Sequence, residues 1–369
     1  MTQELRHSPS APLRSGYTTG ACAAAAAKGA ALMLVHQITV NEVTIDLPAG
    51  ISVTFPLSGQ IVSPEQASCF VIKDAGDDPD VTNGAEVHAT VRRDRDASPG
   101  SACRVIIEGG KGIGRVTKPG LAVPPGQWAI NPVPRQMIEA AVGSALSTFN
   151  IQHSTFNIVI SIPDGEERAK KTLNARLGII GGLSILGTTG IVRPISSKAW
   201  TDTLDAALDV ARACGCETVV LSTGRTSEMA AQHWLGSTSE EAFIMMGDHI
   251  AYALRACQLR GFHQPIIACQ FAKLLKIACG HENTHAAASE LDLAQLLTWG
   301  REGGLPEPVL GAISTANTAR EIAIACSFDP DLLELVFRRA RNATEHHAPD
   351  ICPRFLVADY SGNCIFDSR

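Results

Sequence analysis

The feature that most constrains this chain is a change of rhythm partway along it. In the C-terminal half, apolar runs of strand length alternate with helical stretches of ten or more residues. Helix 197–214 leads to strand 217–222, and helix 248–260 leads to strand 265–269. Helices then dominate to about Thr344, and a last strand follows near 355–358. That alternation predicts a parallel, doubly wound α/β sheet. The N-terminal half reads differently. One helix over 20–36 is followed by short alternating runs at 43–47, 52–56, 69–73, 85–93 and 104–108, separated by Gly, Pro and Asp turns. These predict an α+β domain with a mixed or antiparallel sheet. Pro134 marks the start of a helix running to about Phe149, and 156–162 is a β-branched strand. At 369 residues the chain exceeds what one core usually supports, so two domains are expected, 1–178 and 179–369. The glycine-rich stretch Gly178–Gly190 (GIIGGLSILGTTG) sits at that boundary as a hinge, a ligand loop or both.

Charge separates the halves further. The net charge of −6 argues against a general nucleic-acid or membrane-surface binder. Yet Arg92–Lys198 holds fourteen Lys and Arg against seven Asp and Glu, a balance of +7, while the remainder stands at −13. The basic stretch suits an acidic small molecule or is ordinary solvated surface. The longest apolar run, Ala21–Val35, is interrupted by Lys28 and is mostly alanine, so no membrane span is expected. The N-terminus lacks the order of a signal peptide, and a cytoplasmic protein is expected. The 11 cysteines read as small buried hydrophobes, and Gly215 between Cys214 and Cys216 reads as a helix C-cap.

Several catalytic patterns fail on spacing. Gly109–Gly114 (GGKGIG) lacks the ending of a phosphate-binding loop, and the glycines around Ser184 are one residue off a nucleophile elbow. His281-Glu282-Asn283-Thr284-His285 does spell H-E-x-x-H, which on a helix would suit zinc hydrolysis. Gly280 before it and the weak helix formers inside it argue against a helix there. Four blocks carry more information. LRSGYTTGAC (Leu13–Cys22) opens a helix whose first N–H groups suit a carboxylate, or it is an N-cap and no more. KDAGDDPD (Lys73–Asp80) places four carboxylates in a turn, able to take a proton or hold a cation, or simply to turn. The basic stretch contains Gly109–Leu121, Ala129–Ile138 and Ile162–Val192. Ser222-Thr223-Gly224-Arg225 follows a strand, where ligands bind in open parallel sheets.

In this order the blocks resemble the cobalt-precorrin-5B C(1)-methyltransferase (CbiD) family. The resemblance rests on LRSGYTTG, KDAGDDPDVT, GIGRVTKPGL, INPVPR, GEERAKKTLNARLGIIGGLSILGTTGIV and TGRTSE, and it runs from about Leu13 to about Leu293. One block departs: Ala268-Cys269-Gln270-Phe271-Ala272-Lys273 stands where the family has Gly-His-x-Gly-Lys, and only the Lys is kept. The stretch Gly280–His285 fits the family and so explains the H-E-x-x-H string without zinc.

The resemblance implies methyl transfer from S-adenosylmethionine to ring carbon 1 of cobalt-precorrin-5B, a polycarboxylate. Arg115, Lys118, Arg135, Lys171, Arg176 and Arg193, with Thr18 and Thr19, are then the expected substrate contacts. Asp74, Asp77 and Asp78 are candidates to take a ring proton. The donor is expected at Gly187, Thr188, Thr189 and Gly190 together with Ser222, Thr223, Gly224 and Arg225, in the second domain. The competing assignment gives both loops to substrate carboxylates. No protein metal is expected, since the cobalt belongs to the substrate, and contact with neighbouring pathway enzymes would be transient. A non-catalytic corrinoid carrier is the main alternative.

Overall fold

The computed structural model describes residues 13–94, 104–147 and 154–369. Two compact units divide the chain, Met1–Ser196 and Ser197–Arg369.

The first unit opens with β1 (Gly16–Tyr17) and α1 (Thr19–His36). Thr18 caps α1, its Oγ1 accepting the Ala21 N–H at 3.2 Å, and Gln37 closes it with an N–H to the Met33 carbonyl. The alanines from Ala21 to Ala31 are all fully buried. A helix apolar on every side belongs inside, and methyl-sized side chains let its neighbours come close. A Cβ on Gly29 would lie 2.4 Å from Cδ1 of Leu57. By composition α1 could cross a membrane, but 78% of that window is buried within the protein.

Strands β2 (Glu42–Leu47) and β3 (Ile51–Pro56) form a hairpin. Next come β4 (Ser58–Val62), β5 (Gln66–Ile72), β6 (Glu86–Asp94), β7 (Arg104–Gly109), β8 (Arg115–Val116), α2 (Pro132–Leu146) and β9 (Thr155–Ser161). Five of these strands make one sheet, in the order β4-β5-β6-β9-β7. Only the β7–β9 pair is parallel, so the sheet is mixed, as the alternation predicts. Alternate residues Phe156, Ile158 and Ile160 of β9 enter the core with α1 and α2. Helix α2 begins at Pro132 rather than Pro134, because Asn131 takes the N-cap position; Phe149 lies outside the described residues. After α3 (Gly165–Ala169), the short strands β10 (Ile179–Ile180) and β11 (Ile191–Val192) pair back onto β8 and β1. Those pairings keep residues 179–192 in the first unit, so the boundary follows Ser196 instead of lying near 178.

The second unit runs α4 (Ser197–Ala213), β12 (Val220–Ser222), α5 (Arg225–Trp234), β13 (Phe243–Met245), α6 (Ile250–Leu259), β14 (Ile266–Gln270) and α7 (Phe271–Ala278). It ends with α8 (Leu293–Glu302), α9 (Glu307–Thr315), α10 (Ala319–Ala325), α11 (Pro330–His347), β15 (Arg354–Ala358) and β16 (Cys364–Asp367). The strand order is β13-β12-β14-β15-β16, parallel except for the edge strand β16. Alternation along β12 sends Val220 to the face covered by α5 and Leu221 to the opposite core. The sheet is therefore doubly wound, as expected. From β12 the chain steps to β13 on one side and returns to β14 on the other, so the strand order reverses between β12 and β14. Gly215 ends α4 at φ +82° with the Cys216 N–H on the Ala211 carbonyl, which accounts for the Cys-Gly-Cys string as a cap.

Candidate functional site

In the first unit, Gly178–Val192 acts as a strap that touches three other sequence blocks, Leu13–Cys22, Gly109–Leu121 and Ala129–Ile138. Ile179 and Ile180 pair with Val116 and Arg115. The Gly114 N–H donates to the Leu183 carbonyl at 2.8 Å, and the Asn131 N–H to that of Ile185 at 3.0 Å. The Gly20 N–H donates to the Leu186 carbonyl at 3.0 Å, while the Leu186 N–H donates back to Thr19 Oγ1 at 3.0 Å. The Thr18 N–H reaches the Gly190 carbonyl at 3.0 Å. The two Thr-Thr-Gly turns thus lie against each other.

This arrangement changes the meaning of several expected site residues. Thr18 and Thr19 are buried, and the Gly20 and Ala21 N–H groups are already taken, so the start of α1 is closed by protein rather than open to a carboxylate. Gly187 has φ +127°, and a Cβ there would lie 2.4 Å from the Thr18 side chain. At Gly190 the φ is +83° and a Cβ would approach Leu47 to 2.9 Å. Packing alone demands both glycines. Thr188 and Thr189 between them are exposed.

The three aspartates fasten the same region. Asp74 holds the Arg14 guanidinium through both oxygens, with Nη2 2.9 Å from Oδ1. The side-chain hydrogen bond from Arg14, then the Gly76 N–H, keep the Asp74 carboxyl below its usual range and make it a weak base. Asp77 accepts the Arg14 backbone N–H through Oδ2, and Asp78 accepts the Ile195 N–H through Oδ1 at 2.9 Å. Ile195 sits in the left-handed region at φ +53°. Behind the loop, the buried Lys73 ammonium pairs with Asp80, which also takes the Thr82 hydroxyl at 2.6 Å.

Of the expected cations, Arg115, Lys118 and Arg176 gather around the β8–β10 pair. Arg115 lies 3.9 Å over the Trp128 ring, and Lys118 Nζ is 3.3 Å from the Arg176 carbonyl. Arg135 is drawn to the Ile107 carbonyl at 3.2 Å. Lys171 and Arg193 are exposed. Leu186 and Ile180 are about half exposed beside them, giving this surface apolar as well as basic character.

In the second unit, Ser222–Arg225 lies at the carboxyl end of β12, at the strand-order reversal. It is thus in a different unit from Gly187–Gly190, and the expected donor site is divided between them. Ser222 is fully buried, and its Oγ finds no hydrogen-bond partner among the described residues. It shares the Val220 face, so it points to the α5 side. Helix α5 has no side-chain cap at its start. Gly224 there is extended at φ −175°, which any residue adopts, and a Cβ on it meets nothing within 4 Å. Neither packing nor conformation requires a glycine at that point, which leaves open space beside the first turn of α5. Glu228, buried in the same first turn, complements the helix dipole. A cleft of about 740 Å³ lined by Glu217, His263 and Arg354 lies at the opposite, amino end of the strands. Open α/β sheets bind their ligands at the carboxyl end, so that cleft is not the candidate.

The H-E-x-x-H stretch lies beyond the end of α7 and forms no helix, so its histidines do not share a helical face. His281 Nε2 is 3.1 Å from the Glu290 carbonyl, and His285 Nδ1 accepts the Ala287 N–H at 3.2 Å. Sequence reasoning missed Asp248, which pairs with Lys273 just past β13 and β14. The signal for Asp248 was its place some two dozen residues after the Gly224 turn.

Fold and site together define a two-unit protein: an α+β unit tied together by a glycine-rich strap, and an open α/β unit whose strand order reverses beside Ser222–Arg225. A CbiD family model matches residues 6–194, and a model of the CbiD C-terminal domain matches 283–369. The chain belongs to the CbiD family. A relative from Pelobacter propionicus, 59% identical over 99% of this chain and 98% of its own length, is named cobalt-precorrin-5B C(1)-methyltransferase. One from Geobacter metallireducens with the same name is 58% identical over 96% of this chain and 98% of its own. A crystal structure of a cobalamin biosynthesis protein (cbiD) from Archaeoglobus fulgidus is 31% identical, covers 71% of this chain and 78% of that one, and has a TM-score of 0.39.

Proposed function

We propose that this chain transfers a methyl group from S-adenosylmethionine to carbon 1 of cobalt-precorrin-5B, giving cobalt-precorrin-6A in anaerobic cobalamin biosynthesis. The observation that supports this most is the strap Gly178–Val192, which ties three sequence blocks of the first unit together beside exposed basic and apolar side chains. A macrocycle edged with carboxylates needs both characters. Arg115, Lys118, Arg176 and Arg193 take ring carboxylates, each charge-assisted bond contributing about 1.5–3 kcal/mol. Arg135 and Lys171 lie further along the same basic stretch.

The donor's amino-acid end sits at Ser222–Arg225. Its carboxylate meets the uncapped N–H groups of α5 and the orphaned Ser222 Oγ. The buried Glu228 carboxylate suits the ammonium of the same zwitterion. The donor supplies a sulfonium methyl that is already electrophilic, so no enzyme nucleophile is needed. Ring carbon 1 forms the new bond while the C–S electron pair stays on sulfur. What the residues contribute is alignment, worth about 7–11 kcal/mol of barrier. Asp77 and Asp78, each engaged through one oxygen among the described residues, are better placed than Asp74 to accept a ring proton. The cobalt arrives with the substrate, and the protein needs no metal of its own. We place the reaction in the cytoplasm, with transient contacts to neighbouring pathway enzymes.

The test is methyl-labelled donor with cobalt-precorrin-5B, followed by mass spectrometry and carbon NMR. One label at ring carbon 1 is expected. A label on another carbon, or none despite tight ring binding, would refute the reading and favour a carrier.

A further inference from the structure

The loop between β13 and α6 is built more firmly than a connection requires. The Met246 and Gly247 N–H groups both donate to the Ser222 carbonyl, at 2.9 and 3.2 Å, so the loop lies directly on the candidate donor turn. The Trp200 indole donates to the Met246 carbonyl at 3.0 Å. A Cβ on Gly247 would lie 2.9 Å from the same indole. Asp248 follows. Its Oδ1 receives the Lys273 ammonium and, at 2.7 Å, the Thr284 hydroxyl, while its main-chain carbonyl receives the Thr284 N–H at 2.9 Å. Lys273 and Lys276 both donate to the Thr284 carbonyl, at 2.9 and 3.0 Å. The carboxylate is thus held rigidly through one oxygen, while Oδ2 accepts no protein hydrogen bond among the described residues and the side chain keeps 24% exposure.

Burial raises the Asp248 carboxyl, but the bonds from Lys273 and Thr284 outweigh it and keep the group ionised at neutral pH. A fixed carboxylate with one open oxygen accepts hydroxyl groups. It stands past the carboxyl end of the strand beside β12, about two dozen residues after the Gly224 turn. In nucleotide-binding α/β folds an acidic residue roughly 20 residues after the glycine turn takes a ribose hydroxyl. The half-exposed face of Trp200 borders the same loop.

We propose that Asp248 Oδ2 accepts a ribose hydroxyl of the methyl donor, making the Met246–His249 loop the nucleoside half of the donor site. The proposal rests on the reading that the donor binds at Ser222–Arg225, and its test separates the two. Calorimetry on the full chain compares S-adenosylhomocysteine with its 2′,3′-dideoxy analogue. The intact protein should bind the analogue about ten- to a hundredfold more weakly, as expected for bonds to a charged acceptor. Asp248→Asn should weaken S-adenosylhomocysteine and shrink the difference between the two ligands. Gly224→Val, whose side chain enters open space, should weaken both equally. If Gly224→Val weakens S-adenosylhomocysteine while the intact protein binds both ligands alike, the Asp248 proposal is overturned and the donor turn stands. If Gly224→Val leaves binding unchanged, the donor turn itself is wrong and the proposal falls with it. The analogue needs no mutation, so a folding defect in Asp248→Asn cannot mask the result.

Discussion

Gly187→Ala should damage the first unit, although it adds a single methyl group. The new Cβ would stand 2.4 Å from both Cβ and Oγ1 of Thr18, and the backbone at φ +127° lies where side chains are rarely tolerated. Backbone strain of this kind costs about 1–3 kcal/mol. Overpacking against a side chain on the end of a buried helix adds about 1–3 kcal/mol. Thr18 cannot withdraw freely, because its Oγ1 caps α1 and its N–H holds the Gly190 carbonyl. Losing that cap would cost about 1 kcal/mol more. The expected destabilisation is therefore about 2–6 kcal/mol, read as a shift of the first unit's urea transition by circular dichroism. Gly224→Ala is the matched control, since its Cβ meets nothing and its backbone is extended. It should leave stability within about 0.5 kcal/mol. Equal stability of the two variants would refute the account of Gly187 as a packing glycine and restore it as a ligand glycine.

Asp80→Asn should cost about 3–5 kcal/mol by stranding the buried Lys73 ammonium. The Asp80 carboxyl is held below its usual range by Lys73 and Thr82 against the opposing effect of burial, so its stabilisation is full above about pH 4 and fades as pH falls through the lower folded value; acid unfolding curves for the two proteins should converge there. Arg176→Glu and Arg193→Glu should each weaken corrinoid binding at least about tenfold in a spectroscopic titration, and normal binding by both would sink the charge argument. Chelator treatment should leave methyl transfer intact, and elemental analysis should find no stoichiometric zinc; loss of activity that zinc restores would revive the H-E-x-x-H string.

The mixed sheet of the first unit and the doubly wound sheet of the second were legible because alternation and helix length report burial directly. Phe156, Ile158 and Ile160 alternate inward along β9, and α6 is long enough to cross between the parallel strands β13 and β14. The boundary was not legible, because Gly178–Gly190 has the composition of a linker. Its position is set by pairings of β10 and β11 with strands more than sixty residues earlier in the chain, which no local pattern encodes. The site residues divide the same way. Ser222–Arg225 could be found from a strand followed by glycine. The role of Gly187 depended on Thr18, and the opportunity at Asp248 depended on which of its oxygens Lys273 and Thr284 leave open.

The strap also sets an order of assembly during synthesis. The first turn of α1 is completed by Leu186, which lies 167 residues later than its partner Thr19. At ribosomal rates of about 5–20 residues per second, that partner emerges roughly 10–30 s after the helix it finishes. Closing so long a loop is slow and is rewarded only at the end. Until then the alanine helix has an unfinished end and must be sheltered by collapse against α2, β5 and β6. A nascent chain of this protein is therefore most exposed to aggregation just before its glycine-rich segment leaves the ribosome.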